Sequence, residues 1–175
     1  TREYVEIVKL ALSRQKVKYD GEFFTLPLPD GPGKALTLTV HPVREQIPFY
    51  LAAIGPKNLE LAGELFDGWL AIFFSPEFSG ELKASIGAGR AKVGKTLDGF
   101  DIVPTVPVVI GDDVAACADP LRAYSALYIG GMGSRDKNFY NQLVSRMGYE
   151  TAAAEIQDLY LDRKQAEAMA AVSFG

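Results

Sequence analysis

Residues Phe49–Trp69, FYLAAIGPKNLELAGELFDGW, decide how the rest of the chain is read. A short apolar run, Phe49–Ile54, stops at Gly55-Pro56; a helix-forming segment follows at once and Asp67-Gly68 closes it. Pro56 suits the first helical turn, where its missing N–H has no intrahelical partner to lose. Such a start leaves the N–H groups of Gly55, Lys57 and Asn58 pointing outward. With the positive end of the helix dipole they form an anion site, typically for a phosphate. The same step also occurs for packing alone. Lys57 is a cation at a position the dipole disfavours, which tilts the balance toward a ligand.

Outward from this unit a βαβα rhythm continues. Phe49–Ile54 predicts a strand, Lys57–Phe66 a helix, Trp69–Phe74 a strand, Pro76–Val93 a helix and Ile102–Ile110 a third strand. The strands are continuous apolar runs rather than alternating ones, the pattern of a parallel sheet covered on both faces. Pro104 and Pro107 each remove a ladder donor, predicting a bulge or an open side. Upstream, Thr1–Arg14 predicts an amphipathic helix with Val5, Val8 and Leu12 on one face. Val17–Tyr19 and Glu22–Leu26 flank Asp20-Gly21, a two-residue hairpin signal. Pro27–Lys34 is a loop by its prolines and glycines, and Leu36–Val40 is a short strand candidate. From Asp113 onward helix follows helix: Val114–Tyr128, Asn138–Met147, Thr151–Leu161 and Lys164–Val172, broken at Gly130–Gly133 and Gly148. The expected organisation is one domain, 1–175, in three segments: 1–48 (helix, hairpin and loop), 49–112 (βαβαβ) and 113–175 (helical).

Composition excludes several classes. A chain of 175 residues, 48% of them apolar, can bury about 70% of its unfolded surface and so build a core. A net charge of −4 and a pI near 5.1 argue against a nucleic-acid partner and against an anionic membrane surface. The one cysteine, Cys117, allows no intrachain disulfide and fits a cytoplasmic location. No apolar run approaches the roughly 20 residues of a membrane span, and TREYVEIVKLAL carries acids early, unlike a signal peptide.

The candidate residues each admit a plain and a functional reading. Phe73, Phe74 and Ser75 end the second parallel strand, where barrels carry their active sites. They suit a wall for a flat ring or an apolar substrate, and equally well a packed core. Trp69, at the other end of that strand, reads as core. His41, the only histidine, precedes a proline in a polar loop and reads as structural; alone it makes no multi-histidine metal site. Cys117, among alanines and without a CxxC partner, reads as buried and inert. Gly130–Gly133 with Arg135 and Lys137 reads as an interhelix linker, the functional alternative being contact with an anionic tail. Asp112-Asp113 reads as a helix cap. No catalytic triad, HExxH or paired carboxylate is visible, so no catalytic acid or base and no metal ligand is assigned.

The string around Ile54, Gly55, Pro56, Lys57 and Asn58 resembles the bacterial luciferase-like flavin and deazaflavin oxidoreductases, in particular the branch that uses coenzyme F-420. The resemblance implies an α/β fold, part of a (β/α)8 TIM barrel with a helix-rich C-terminal segment. It implies hydride transfer between the deazaflavin and a small organic substrate. Ile54, Gly55, Lys57 and Asn58 would meet the cofactor's phosphate-bearing tail, and Phe73–Ser75 would line the substrate pocket. It further implies a possible homodimer. A barrel takes about 250 residues and eight strands, against three strand candidates of that type here. The expectation is therefore a part-barrel, with the first strands and the last strand and helix outside residues 1–175, and no turnover by these residues alone. Two alternatives stay open: an FMN-dependent monooxygenase of the same fold, and a non-catalytic scaffold or assembly subunit.

Overall fold

The computed structural model describes residues 1–173. The chain divides into two compact units, residues 1–49 and residues 50 onward, each taken by itself.

In the first unit, α1 (Arg2–Leu12) presents Val5 as its buried residue. Strands β1 (Tyr19–Asp20) and β2 (Thr25–Leu26) pair antiparallel, Tyr19 with Leu26 and Asp20 with Thr25. The two-residue turn expected at Asp20-Gly21 is therefore corrected to four residues, Gly21–Phe24. The cause is Glu3 of α1: its carboxylate accepts the N–H groups of Glu22, Phe23 and Phe24 at 2.8, 3.0 and 3.0 Å. Donors committed to a carboxylate are lost to a ladder. Leu36–Val40 forms no strand, a second correction. The Leu36 carbonyl accepts the Val17 N–H at 2.8 Å, just ahead of β1. Leu36 and Val40 stay exposed, so alternation there buries nothing.

The second unit opens with β3 (Tyr50–Ala52), α2 (Pro56–Leu65), β4 (Gly68–Ala71), α3 (Gly80–Lys92) and β5 (Asp101–Pro104). The sheet is parallel in the order β3-β4-β5, with Leu51 opposite Trp69 and Trp69 opposite Ile102. Apolar strands with helical crossovers give this arrangement because only crossovers can join parallel neighbours. Its core gathers Leu59 and Ala62 of α2, Trp69 and Ala71 of β4, Leu82 and Ile86 of α3, with Phe100 and Leu143. Arg90 is 9% exposed; it donates to the carbonyls of Thr96 (2.6 Å) and Asp98 (3.4 Å) and lies over the Phe100 ring, closing the loop into β5.

Two boundaries differ from expectation. α3 begins at Gly80, not Pro76, because the Pro76 carbonyl is taken by the Ser79 hydroxyl at 2.7 Å in a preceding turn. β5 stops at Pro104, not Ile110. One further ladder bond, Thr105 N–H to the Ala71 carbonyl at 2.8 Å, ends the pairing, and Val106, Val108, Val109 and Ile110 are exposed. β4 ends at Ala71 and Pro107 offers no donor, so nothing continues the ladder.

Helices follow as expected: α4 (Val114–Ala126), α5 (Phe139–Val144), α6 (Glu150–Leu161) and α7 (Gln165–Ala170). Asp113 caps α4, its carboxylate accepting from Ala115 and Ala116 at 2.9 and 3.2 Å. A π-helical turn, Leu127–Gly131, extends α4, and a wide turn, Ser145–Tyr149, broken at Gly148 (φ +92°), joins α5 to α6. Ala126, Ile129, Ala153, Ile156 and Ala168 form a second core.

Candidate functional site

The three parallel strands end side by side, and a cavity of about 410 Å³ lies at their C-terminal ends. Ala52, Ala53 and Ile54 line it from the end of β3, Leu70, Ala71 and Ile72 from β4, and Thr105 from just beyond β5. Gly55 and Asn58 add the start of α2, and Phe139 and Tyr140 the first turn of α5. In open parallel sheets and barrels this edge is where ligands bind, and the volume falls within the roughly 300–1,000 Å³ of small-molecule sites. Every lining side chain is uncharged. The small residues Ala52, Ala53 and Ala71 leave the space; Asn58, Thr105 and Tyr140 supply side-chain polar groups.

The turn into α2 is a one-residue cap. Gly55 sits at φ −75°, ψ 148°, and its carbonyl accepts the N–H groups of Asn58 (3.1 Å) and Leu59 (3.0 Å). Of the three donors expected, Asn58 is therefore engaged within the chain, which is a correction. The N–H groups of Gly55 and Lys57 have no acceptor among the described residues. A Cβ added at Gly55 would meet nothing within 4 Å, so the backbone there is open to close approach. Of the four expected cofactor residues, the cavity brings together Ile54, Gly55 and Asn58; Lys57 stands exposed beside it, outside the lining.

Phe73, Phe74 and Ser75, expected to line the pocket, lie outside the lining of this cavity, which is a correction. Phe73 takes φ +50°, a left-handed conformation uncommon outside glycine. Its ring meets those of Tyr124, Tyr128 and Tyr140 at centroid distances of 5.8, 5.7 and 6.1 Å. Phe74 stands edge-on to Trp69 at 6.0 Å, and the Ser75 hydroxyl bonds the Glu77 carboxylate. Trp69 is core as expected, 2% exposed, its indole N–H donating to the Ala53 carbonyl at 2.8 Å.

Phe139 and Tyr140 were not legible as site residues. The signal beside them was Asn138, the N-cap of α5, 1% exposed. Its Oδ1 accepts the N–H groups of Tyr140 and Asn141, both at 3.0 Å. Its Nδ2 donates to the carbonyls of Tyr128 (3.0 Å) and Ile129 (2.9 Å), which lie in the π turn. Burial pushes the Tyr124 hydroxyl's pKa up, and Tyr128 and Tyr140 beside it add to the shift.

The other candidates take structural places. His41 Nδ1 pairs with the Arg14 guanidinium at 2.9 Å in the first unit. Cys117 is half-buried, more open than expected. Arg135 pairs with Asp158, and Gly130 and Gly131 pack on Tyr160, so the glycine segment joins helices. Among the described residues no three His, Cys, Asp or Glu gather as metal ligands would, and no helix is long and apolar enough to cross a membrane.

Comparison with known proteins bears on the same region. A solved coenzyme F-420-dependent tetrahydromethanopterin reductase from Methanopyrus kandleri superposes with a TM-score of 0.78 over 99% of this chain and 46% of that one, at 22% identity. That likeness shows the fold, an α/β chain forming part of a luciferase-like (β/α)8 barrel. A Mycobacterium tuberculosis protein named for coenzyme F-420-dependent oxidoreduction is 40% identical over 175 residues, 96% of this chain and 50% of its own length. A 5,10-methylenetetrahydromethanopterin reductase of Archaeoglobus fulgidus is 35% identical over 130 residues, 74% of this chain and 36% of the relative. The chain thus spans half or less of the length of these relatives. The family model described as luciferase-like monooxygenase matches residues 1–174, and the chain belongs to that family.

Proposed function

We propose that the full-length protein is an oxidoreductase that transfers hydride between the deazaflavin coenzyme F-420 and a small organic substrate. The observation that carries this is the uncharged cavity at the strand ends, opening beside the bare backbone of Gly55, in a chain 40% identical to a protein named for that coenzyme. The residues present fit such a cofactor. Two free N–H groups at a helix start suit a phosphate, and an apolar cavity suits a conjugated ring.

In this reading the bound coenzyme supplies the hydride chemistry and the chain supplies binding, orientation and exclusion of water. The N–H groups of Gly55 and Lys57 hold the phosphate, and the Lys57 ammonium balances its charge. The Asn58 amide offers a further polar contact beside Ile54. Ala52, Ala53, Ala71 and Ile72 keep water from the ring end.

The test is a fluorescence titration of the full-length protein with coenzyme F-420 and, separately, with FMN. Saturable binding of the deazaflavin in preference to FMN supports the proposal. Preference for FMN moves the protein to oxygen-using chemistry, and binding of neither leaves the scaffold reading.

A further inference from the structure

The cavity has one aromatic side, and three unusual features converge behind it. Phe73 is held at φ +50°, a conformation that strains a bulky residue and survives where its surroundings enforce it. The π turn at Leu127–Gly131 closes the C-terminal end of α4, and such turns are frequent at functional sites. The fully buried Asn138 ties the carbonyls of that turn to the N–H of Tyr140. All three meet at Tyr140, Asn138 at its main-chain N–H and Phe73 and Tyr128 at its ring. The Tyr140 ring stands edge-on to Tyr128 (4.8 Å, 86°) and to Phe73 (6.1 Å, 81°). Edge-to-face contacts of this kind fix a ring's orientation as well as its place. Tyr140 is also a lining residue of the cavity.

A ring gripped on two sides and presented to an uncharged cavity suits a flat conjugated partner, since stacking needs a preset plane. We propose that Tyr140 is a specificity-determining residue of this cavity, the aromatic wall on which the ring system of a flat heteroaromatic occupant rests, with Asn138 and Phe73 as its positioning residues. The occupant's ring class rests on the coenzyme reading above; the placement of Tyr140 does not. Polar tails are left to the Gly55 turn.

Lumichrome, a tricyclic flavin ring without a phosphate tail, separates the ring contact from the tail contact. It is titrated by fluorescence against the full-length protein and its Tyr140→Phe and Tyr140→Met variants, with coenzyme F-420 titrated in parallel. Methionine can fill the space against Phe73 and Tyr128 without offering a ring. The expected result is saturable lumichrome binding, affinity within about threefold for Tyr140→Phe, and a loss of about tenfold for Tyr140→Met, the scale of one aromatic contact. Tyr140→Trp covers the case in which Tyr140→Met does not fold. It should keep the affinity, and lumichrome should quench its added emission. No lumichrome binding by the parent protein, equal affinity for Tyr140→Met, or unquenched emission from Tyr140→Trp overturns the proposal. If lumichrome binds through Tyr140 but coenzyme F-420 does not bind, the coenzyme reading falls and the ring site stands. If coenzyme F-420 binds and the Tyr140 variants match the parent for lumichrome, the ring site alone falls.

Discussion

Gly63 of α2 and Gly89 of α3 form a reciprocal contact. A Cβ on Gly63 would stand 2.0 Å from the Ile86 carbonyl oxygen, and one on Gly89 would stand 1.8 Å from that of Glu60. Each glycine thus admits the backbone of the opposite helix, and the two crossovers flanking β4 are locked at close range.

Alanine at Gly89 sets two effects against each other. Helix propensity favours Ala over Gly by roughly 1 kcal/mol, while forcing a methyl into backbone costs about 3 kcal/mol. The clash wins, and Gly89→Ala should lower stability by about 2 kcal/mol. Gly87, two residues away on the same helix, has nothing within 4 Å of an added Cβ. There propensity acts alone, and Gly87→Ala should raise stability by about 0.5–1 kcal/mol. Urea midpoints of the two variants check the pair; shifts of the same sign would refute the close crossing.

The carboxylate of Glu3 predicts an acid-sensitive hairpin. Partial desolvation pushes its pKa up, but three bonds from the N–H groups of Phe23, Phe24 and Glu22 together outweigh this and hold it below the ordinary 4.5. A pKa depressed on folding means stability that is present above the unfolded value and lost as pH falls through the folded one. The Glu22–Phe24 amides should therefore be protected above pH 4.5 and open progressively as pH falls from there through the depressed value of the Glu3 carboxyl. Amide exchange across that range reads the change directly, and Glu3→Gln should flatten it.

The parts of the fold written locally were legible. Gly55-Pro56 marked the start of α2, apolar runs marked β3 and β4, and Asp113 marked the cap of α4. What the sequence hid depends on partners. Leu36–Val40 alternates like a strand, but no neighbour covers Leu36, which is 73% exposed. Val106–Ile110 is apolar enough for a strand, but β4 ends before it. The aromatic wall was hidden for the same reason. Tyr140 reaches the cavity from a helix that starts 84 residues beyond Gly55, and no periodicity in either segment announces the meeting. Phe73 was singled out for its place on the strand. Its positive φ turns it toward the tyrosines, where it supports the wall.

Asn138 should matter for stability out of proportion to its size. Asn138→Ala strips a cap from α5 and leaves the Tyr128 carbonyl without its amide partner, for a loss of about 3 kcal/mol. Asn138→Asp keeps the cap acceptors but sets a carboxylate against the carbonyls of Tyr128 and Ile129. Burial and those oxygens raise its pKa on folding, so its stability is present at low pH and lost as pH rises. Thermal melts of both variants across pH are the check. An Asp variant most stable at neutral pH would contradict the amide's orientation.

The Gly55 turn gives the sharpest test of the cofactor site, because there folding and binding separate. The φ of Gly55 is −75°, allowed to any residue, and an added Cβ meets nothing within 4 Å among the described residues beyond its chain neighbours. Gly55→Ala should therefore melt with the parent protein, within about 0.5 kcal/mol. In the proposed site, bulk at that position stands where the phosphate would approach the Gly55 and Lys57 N–H groups. Affinity for coenzyme F-420 should fall by about tenfold in Gly55→Ala and further in Gly55→Val, each tenfold being about 1.4 kcal/mol. Lumichrome, with no phosphate to place, should bind both variants as it binds the parent. A Gly55→Val variant that folds and holds the coenzyme with parental affinity would remove the turn from the site. Loss of lumichrome binding along with the coenzyme would instead place the ring, not the tail, against Gly55.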